Sequence, residues 1–239
     1  MQPYLFPFLP YYLLVSNVDI FVFLDDVNLN TSSFINRNAL SASGDRFPFT
    51  IPITKKSQNK NINEHFYSDS LWNKSWDSLL HFVLFAAKKK SITHPDPLIQ
   101  MVDSVKNLPF RNVSLVNSYS VRAVIEALNL TPPTYYFSSE LRPFISHDSR
   151  GVEAILEFCR LLGASTYINP SGGTHIYLPH RDKFRNSHIS LKFVNSSQHL
   201  SEFPLAAFSV LASIGHLGNF FPAGLTHLYS SDVDSLLTD

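Results

Sequence analysis

The stretch Val18-Asp19-Ile20-Phe21-Val22-Phe23-Leu24-Asp25-Asp26-Val27 decides the fold class. Its centre, Ile20 to Leu24, is apolar at every position, and two carboxylates stop it. An alternating strand buries one face, whereas a strand that is apolar throughout is covered on both, as in a parallel sheet held between helices. Just upstream, Phe8 to Asn17 follows Pro3 and Pro7 and reads as a short helix. Downstream, Phe47, Phe49, Ile51 and Ile53 alternate with Pro48 and Pro52 between them. Proline has no N–H for an interior ladder, so this is an edge strand. The polar, aperiodic residues 55–64 read as a mobile surface loop.

Further along, Trp72, Trp76, Leu79, Leu80 and Val83 fall at helical spacing and predict a helix over about Leu71 to Lys88. The second half repeats a helix-then-strand unit. A stripe of Val121, Val124, Ile125 and Leu128 precedes a strand Thr134–Phe137; a stripe of Val152, Ile155, Leu156, Cys159 and Leu162 stops at Gly163 before a strand Thr166–Ile168. His188 to Val194 reads as another strand and Leu205 to Leu217 as a closing helix. Helices alternating with short strands imply parallel crossovers. The fold class is therefore α/β: a mainly parallel open sheet with helices on both faces, in one domain over residues 1–239, plus a helical C-terminal segment over residues 205–239.

Composition excludes several classes. Of 239 residues, 44% are hydrophobic and 16% charged, against about 25% charged in an average soluble protein. That excludes a disordered chain or a coiled coil. Lys+Arg 19 balances Asp+Glu 19, so no net field draws the chain to nucleic acid or an anionic membrane. Lys88-Lys89-Lys90 reads as a solvated helix end, where cations suit the helix dipole. The single cysteine, Cys159, has no partner for an intramolecular disulfide or a Cys-based metal site, which suits a reducing, cytoplasmic setting. Met1 to Val15 has the apolar length of a signal core, but Pro3, Pro7 and Pro10 break it, no Lys or Arg precedes it, and it is too short to span a bilayer. A buried loop and helix without membrane insertion is the reading.

In an open parallel sheet, ligands bind at the carboxyl ends of the strands. Three polar loops leave such ends: Asp25-Asp26, Ser138-Ser139-Glu140, and Asn169 to Gly173. Adjacent carboxylates on extended chain face opposite ways, so one of Asp25 and Asp26 faces the crevice as a base, and its partner caps a turn or meets an arginine. Phe34-Ile35-Asn36-Arg37-Asn38 sets a guanidinium between two amides. It either clamps a phosphate or carboxylate bidentately or pairs with Asp25 or Asp26 to hold the loop. Ser171-Gly172-Gly173 allows close backbone approach and positive φ, and is either an anion cradle or a tight turn. It lacks the Walker lysine, and no G-x-G-x-x-G occurs. Ten histidines form no His-Glu-x-x-His, so no metal site is expected. His175 is the histidine placed for proton transfer, with a surface or capping role as the alternative. Cys159 lies in an apolar stripe and reads as core packing.

Taken together, Met-Gln-Pro-Tyr-Leu-Phe-Pro-Phe-Leu-Pro-Tyr-Tyr at the start, residues Val18 to Val27, Ile35-Asn36-Arg37-Asn38, Ser138-Ser139-Glu140-Leu141, and Leu162-Gly163-Ala164 through Tyr167-Ile168-Asn169-Pro170-Ser171-Gly172-Gly173 resemble the WbqC-like protein family. The resemblance runs from Met1 to about Val194. It implies a bacterial cytoplasmic protein of surface-polysaccharide, particularly O-antigen, biosynthesis, and a transferase that moves glycine or another acyl or aminoacyl group onto an activated sugar. It names no cofactor and carries no catalytic residues, so motif position and chemistry select the site. Asp25, Asp26 and His175 are the catalytic candidates; Gln2, Tyr4, Asn36, Arg37, Asn38, Ser139, Glu140, Asn169, Ser171, Gly172 and Gly173 are the substrate contacts. The substrate is a small molecule such as a nucleotide-linked sugar. Three positions depart from the family pattern. Members carry a few apolar residues before the Gln-Pro, a first strand whose loss would shorten an edge of a nucleotide-type site; Pro10-Tyr11 replaces a usual Gly-Tyr; and Phe34 stands where Trp is common. The order of loop, helix and acidic-ended strand also looks like the start of nucleotidylyltransferase-type domains, without their opening pair of histidines. The competing class is a non-catalytic nucleotide or sugar binding module of an assembly complex, with a homodimer as one form of it.

Overall fold

The computed structural model describes residues 1–31, 33–42, 45–89, 92 and 95–194. The expected helix at Leu205 to Leu217 and the 205–239 segment lie outside the described residues. In chain order the elements are α1 (Leu9–Val15), β1 (Ile20–Phe23), β2 (Arg37–Ala42), β3 (Asp45–Thr50), α2 (Asp69–Lys88), α3 (Pro95–Lys106), α4 (Val113–Ala127), β4 (Thr134–Phe137), α5 (Ser138–Leu141), α6 (Gly151–Leu161), β5 (Thr166–Pro170), α7 (Thr174–Tyr177), α8 (Arg181–Asn186) and β6 (Ser190–Val194).

β1 pairs with β4 and β5 with β6, both parallel, while β2 and β3 form an antiparallel hairpin. The α/β class and the parallel pairing follow the apolar run of β1. Phe21 and Phe23 enter a core with Trp72, Trp76, Val116 and Val124, so one face of β1 packs on the helices α1 to α4. Val22 and Leu24 pack against a second core built from α6, α8 and β6. With packing on both faces no position of the strand is fully exposed, which is why no polar residue interrupts it.

Local signals explain several boundaries. Gly163 ends α6 at φ 65°, where the Ala164 N–H reaches the Cys159 carbonyl at 2.8 Å and the Gly163 N–H reaches that of Arg160 at 3.2 Å. That is a Schellman stop, and a left-handed residue there favours glycine. The pattern of the sequence assigns no helix at α3; its Pro95 and Pro97 both fall in the first turn, where a missing N–H costs nothing. Its stripe Leu98, Met101, Val102 and Val105 is buried. The segment 34–38, expected as a loop, runs from a turn into β2, so Arg37 and Asn38 begin a strand. The 55–64 segment, for which mobility was expected, carries an Asn61–Glu64 capping box. His65, 2% exposed, accepts the Ser57 N–H at 3.1 Å on Nε2 and donates from Nδ1 to the Asn61 carbonyl at 2.8 Å.

Between β1 and β5 lies a cavity of about 430 Å³, walled by Leu14, Ile20 and Val22 on one side and Phe158, Leu162 and Ile168 on the other. Met1 borders it too. Its amino group donates to the Val22 carbonyl at 2.7 Å, and its carbonyl accepts the Leu24 N–H at 2.7 Å. This is the bonding of one residue of a parallel strand on the free edge of β1. No described helix is long and apolar enough to cross a membrane.

Candidate functional site

Beyond Phe23 the chain leaves the ladder, and the carboxylate of Asp25 becomes the hub between β1, α4 and α5. Oδ1 accepts the Ser139 N–H at 3.0 Å, and Oδ2 accepts the hydroxyls of Ser139 at 3.0 Å and Ser114 at 3.1 Å. The Asp25 N–H donates to Ser138 Oγ at 3.0 Å. Ser138 carries one hydroxyl proton between two carboxylates: it lies 3.3 Å from Asp25 Oδ1 and closer still to Asp26 Oδ1, which takes the proton. Asp26 Oδ2 then accepts Nε of Arg142 at 2.5 Å, and Nη1 of the same guanidinium holds the Ser149 carbonyl at 3.1 Å. Arg142 also lies over the Phe158 ring at 5.3 Å, which ties the ion pair to the second core.

The two carboxylates therefore differ in environment. Asp26 has a cation and a hydroxyl; Asp25 is 3% exposed and has only neutral donors. Burial pushes the Asp25 carboxyl above its ordinary range, the hydrogen bonds from Ser139 and Ser114 pull it back, and the charge of Asp26 raises it further. Two acids with diverging environments are the pattern of separated acid and base roles. The cation expected for one of these aspartates is present, but it is Arg142. Arg37 lies exposed at the start of β2, 5.7 Å from the Phe34 ring centroid.

The other candidates form two further groups. In the first, Asn36 is buried and spends its amide on the chain itself, donating to the Ile51 carbonyl at 2.9 Å and accepting Lys56 Nζ at 3.1 Å. Asn38 donates to the Phe6 carbonyl at 2.5 Å, which steadies Phe6 at φ 46°. Gln2 accepts the Tyr4 hydroxyl at 3.2 Å on its side chain and the Tyr11 hydroxyl at 2.9 Å on its carbonyl. In the second group, Ser171, Gly172 and His175 line an open depression with Thr174, Leu178 and Pro179. Asn169 is buried and donates to the Tyr167 hydroxyl at 3.0 Å. Gly173 has φ −90°; a Cβ there would meet Asn169 Oδ1 at 2.1 Å. Close approach, and not positive φ, is what that glycine supplies. Glu140, exposed, accepts the Phe137 N–H at 3.4 Å and caps α5. Cys159 is buried in the second core, and burial raises its thiol to about 11, as core packing requires. None of the candidate site residues lines the β1–β5 cavity.

Three members of the Asp25 cluster were missed by sequence reasoning. Ser138 stood in a quoted loop and was given no role. Ser114 had a faint signal, as a hydroxyl two residues after the helix cap Asn112. Arg142 had a better one: a cation directly after Ser138-Ser139-Glu140-Leu141 in a chain poor in charge.

The comparisons bear on the whole of this assembly. No curated protein and no solved structure matches the chain. The WbqC-like protein family model matches residues 2–210, a span that contains all three groups of candidate residues. The chain belongs to the WbqC-like protein family.

Proposed function

We propose that this protein is a transferase of surface-polysaccharide biosynthesis, moving an acyl or aminoacyl group such as glycine onto an activated sugar. Membership of the WbqC-like family supports the setting. The observation that carries the chemistry is Asp25, a buried carboxylate with raised proton affinity, served by hydroxyls beside an aspartate already neutralised by Arg142. A transferase acting on a hydroxyl or amine needs a base whose pKa sits toward neutrality, and desolvation supplies that shift. Arg37 or, alternatively, the Gly172–Gly173 amides hold a phosphate of the nucleotide-linked sugar. His175 is the alternative base.

Binding tests the substrate class. A panel of nucleotides, nucleotide-linked sugars and free sugars is expected to raise the melting temperature for the nucleotide-linked sugars above the other two sets. A response to none of them sinks the reading. Arg37→Lys keeps the charge and loses the planar fork. Its expected result is about tenfold weaker binding of the best sugar nucleotide with an unchanged melting temperature. Lost stability with unchanged affinity would make Arg37 a structural residue.

A further inference from the structure

Three serine hydroxyls surround Asp25, and they are not equivalent. Ser114 is 1% exposed and Ser138 0%; the Ser138 hydroxyl also already donates its hydrogen bond to Asp26. Ser139 alone of the three is half-buried, with its hydroxyl 3.0 Å from Asp25 Oδ2. Asp25 itself is enclosed, so a solute reaches this base through the hydroxyl of Ser139. A second bond fixes the geometry: the Ser139 N–H on Asp25 Oδ1 at 3.0 Å holds the residue on the carboxylate by both of its donors.

We propose that Ser139 is the nucleophile of this site, forming a seryl ester with an activated acyl group while Asp25 serves as its base. This rests on the acyl-transfer reading above and adds a covalent intermediate to it. Ser139 Oγ forms a bond to the carbonyl carbon of an acyl ester or thioester, and Asp25 takes the hydroxyl proton. The bond from that carbon to the donor oxygen or sulfur breaks, its electron pair leaves with the departing group, and that group takes a proton from solvent. In the second half the acceptor hydroxyl or amine attacks the seryl ester. Asp25 returns its proton to Ser139 Oγ as the ester bond breaks, and the acceptor gives its own proton to solvent. The Asp25 environment suits both halves, since burial raises its proton affinity while the hydroxyl bonds keep an ionised form available.

A fluorophosphonate tests this without any sugar: serine attack forms an O–P bond, expels fluoride and gives a mass increase readable on the intact chain. The expected result is one adduct, mapped to Ser139 and absent from Ser139→Ala. Ser114→Ala, which removes a buried hydroxyl from the same carboxylate, is expected to keep the adduct on Ser139 while its labelling rate changes with the base. Asp25→Asn is expected to slow labelling by roughly a hundredfold, the lower end of what a general base contributes. If Asp25→Asn does not fold, the parent's pH profile replaces it. The labelling rate should level off above the titration of a carboxylate, whereas direct attack driven by hydroxide climbs tenfold per pH unit. No adduct on Ser139, equal labelling in folded Asp25→Asn, or a profile that climbs throughout overturns the proposal. Acylation of a nucleotide-linked sugar persisting in Ser139→Ala overturns it too and leaves the transferase reading standing. Labelling without any response to sugar nucleotides does the reverse.

Discussion

Asn117→Ala is expected to lower the unfolding free energy by about 2–4 kcal/mol. Asn117 is 0% exposed on the inner face of α4. Its amide donates to the carbonyls of Pro3 at 2.9 Å and Ile35 at 2.7 Å, and its oxygen accepts the Tyr67 hydroxyl at 2.6 Å. Deleting it orphans the buried carbonyl of Pro3, at about 1–3 kcal/mol, and leaves that of Ile35 with the long bond from Tyr67 alone. The Tyr67 hydroxyl loses less, because it keeps the Ile35 carbonyl at 3.4 Å. One residue thus fastens the opening loop and the segment before β2 to the same helix, and Ser120 adds the Phe6 N–H at 3.2 Å one turn on. Denaturant unfolding with an unchanged m-value measures the cost. A loss below about 1 kcal/mol would mean that water reaches both carbonyls and that the loop is not clamped in this way.

Asn117 also shows what a sequence of this kind reveals. Its burial is legible, since it falls among Val113, Val116, Val121 and Val124 on one helical face, and a polar residue inside an apolar stripe is a signal in itself. Its partners are not legible: Pro3 and Ile35 stand 114 and 82 residues away. The same division holds across the molecule. β1, β4, β5 and β6 were readable because each rests on a local pattern, either continuous apolar residues or a strand after a helical stripe. The β2–β3 hairpin was half readable, because Phe47 and Phe49 alternate while residues 37–42 carry no such pattern. In the candidate site, Asp25, Asp26 and Ser139 were legible from their places after strand ends. The identity of the cation was not, since Arg37 and Arg142 are equally plausible partners for an aspartate until the chain is folded. Ser114 and Ser138 were hidden for another reason: serine is common, and only the carboxylate they share distinguishes them.

For the 239-residue chain produced from Met1, acid is expected to weaken the fold through a group that no motif search selects, the amino group of Met1. Desolvation where it meets the Val22 carbonyl lowers it from 8.0 to about 5. The unfolded chain then holds a proton between pH 5 and 8 that the folded chain lacks, so stability rises with pH across that window and is lost as pH falls. Three pH units of difference correspond to about 3 kcal/mol between pH 8 and pH 5, since each of those limits is itself a half-titration point. The Asp25 carboxyl works in the opposite sense: its folded-state proton affinity is raised, so it favours the folded state as pH falls. A bare pH profile therefore mixes the two, and a comparison separates them. Acetylation of Met1 keeps one N–H for the Val22 carbonyl, removes the ionisable amine, and places the added methyl and carbonyl where the 430 Å³ cavity has room. Unfolding free energies of the free and acetylated chains are expected to differ by about 3 kcal/mol more at pH 5 than at pH 8, with the acetylated chain the more stable in acid. Parallel profiles would show that the amine stays solvated and protonated, and that the Met1 bond to Val22 does not hold the chain end on the edge of β1.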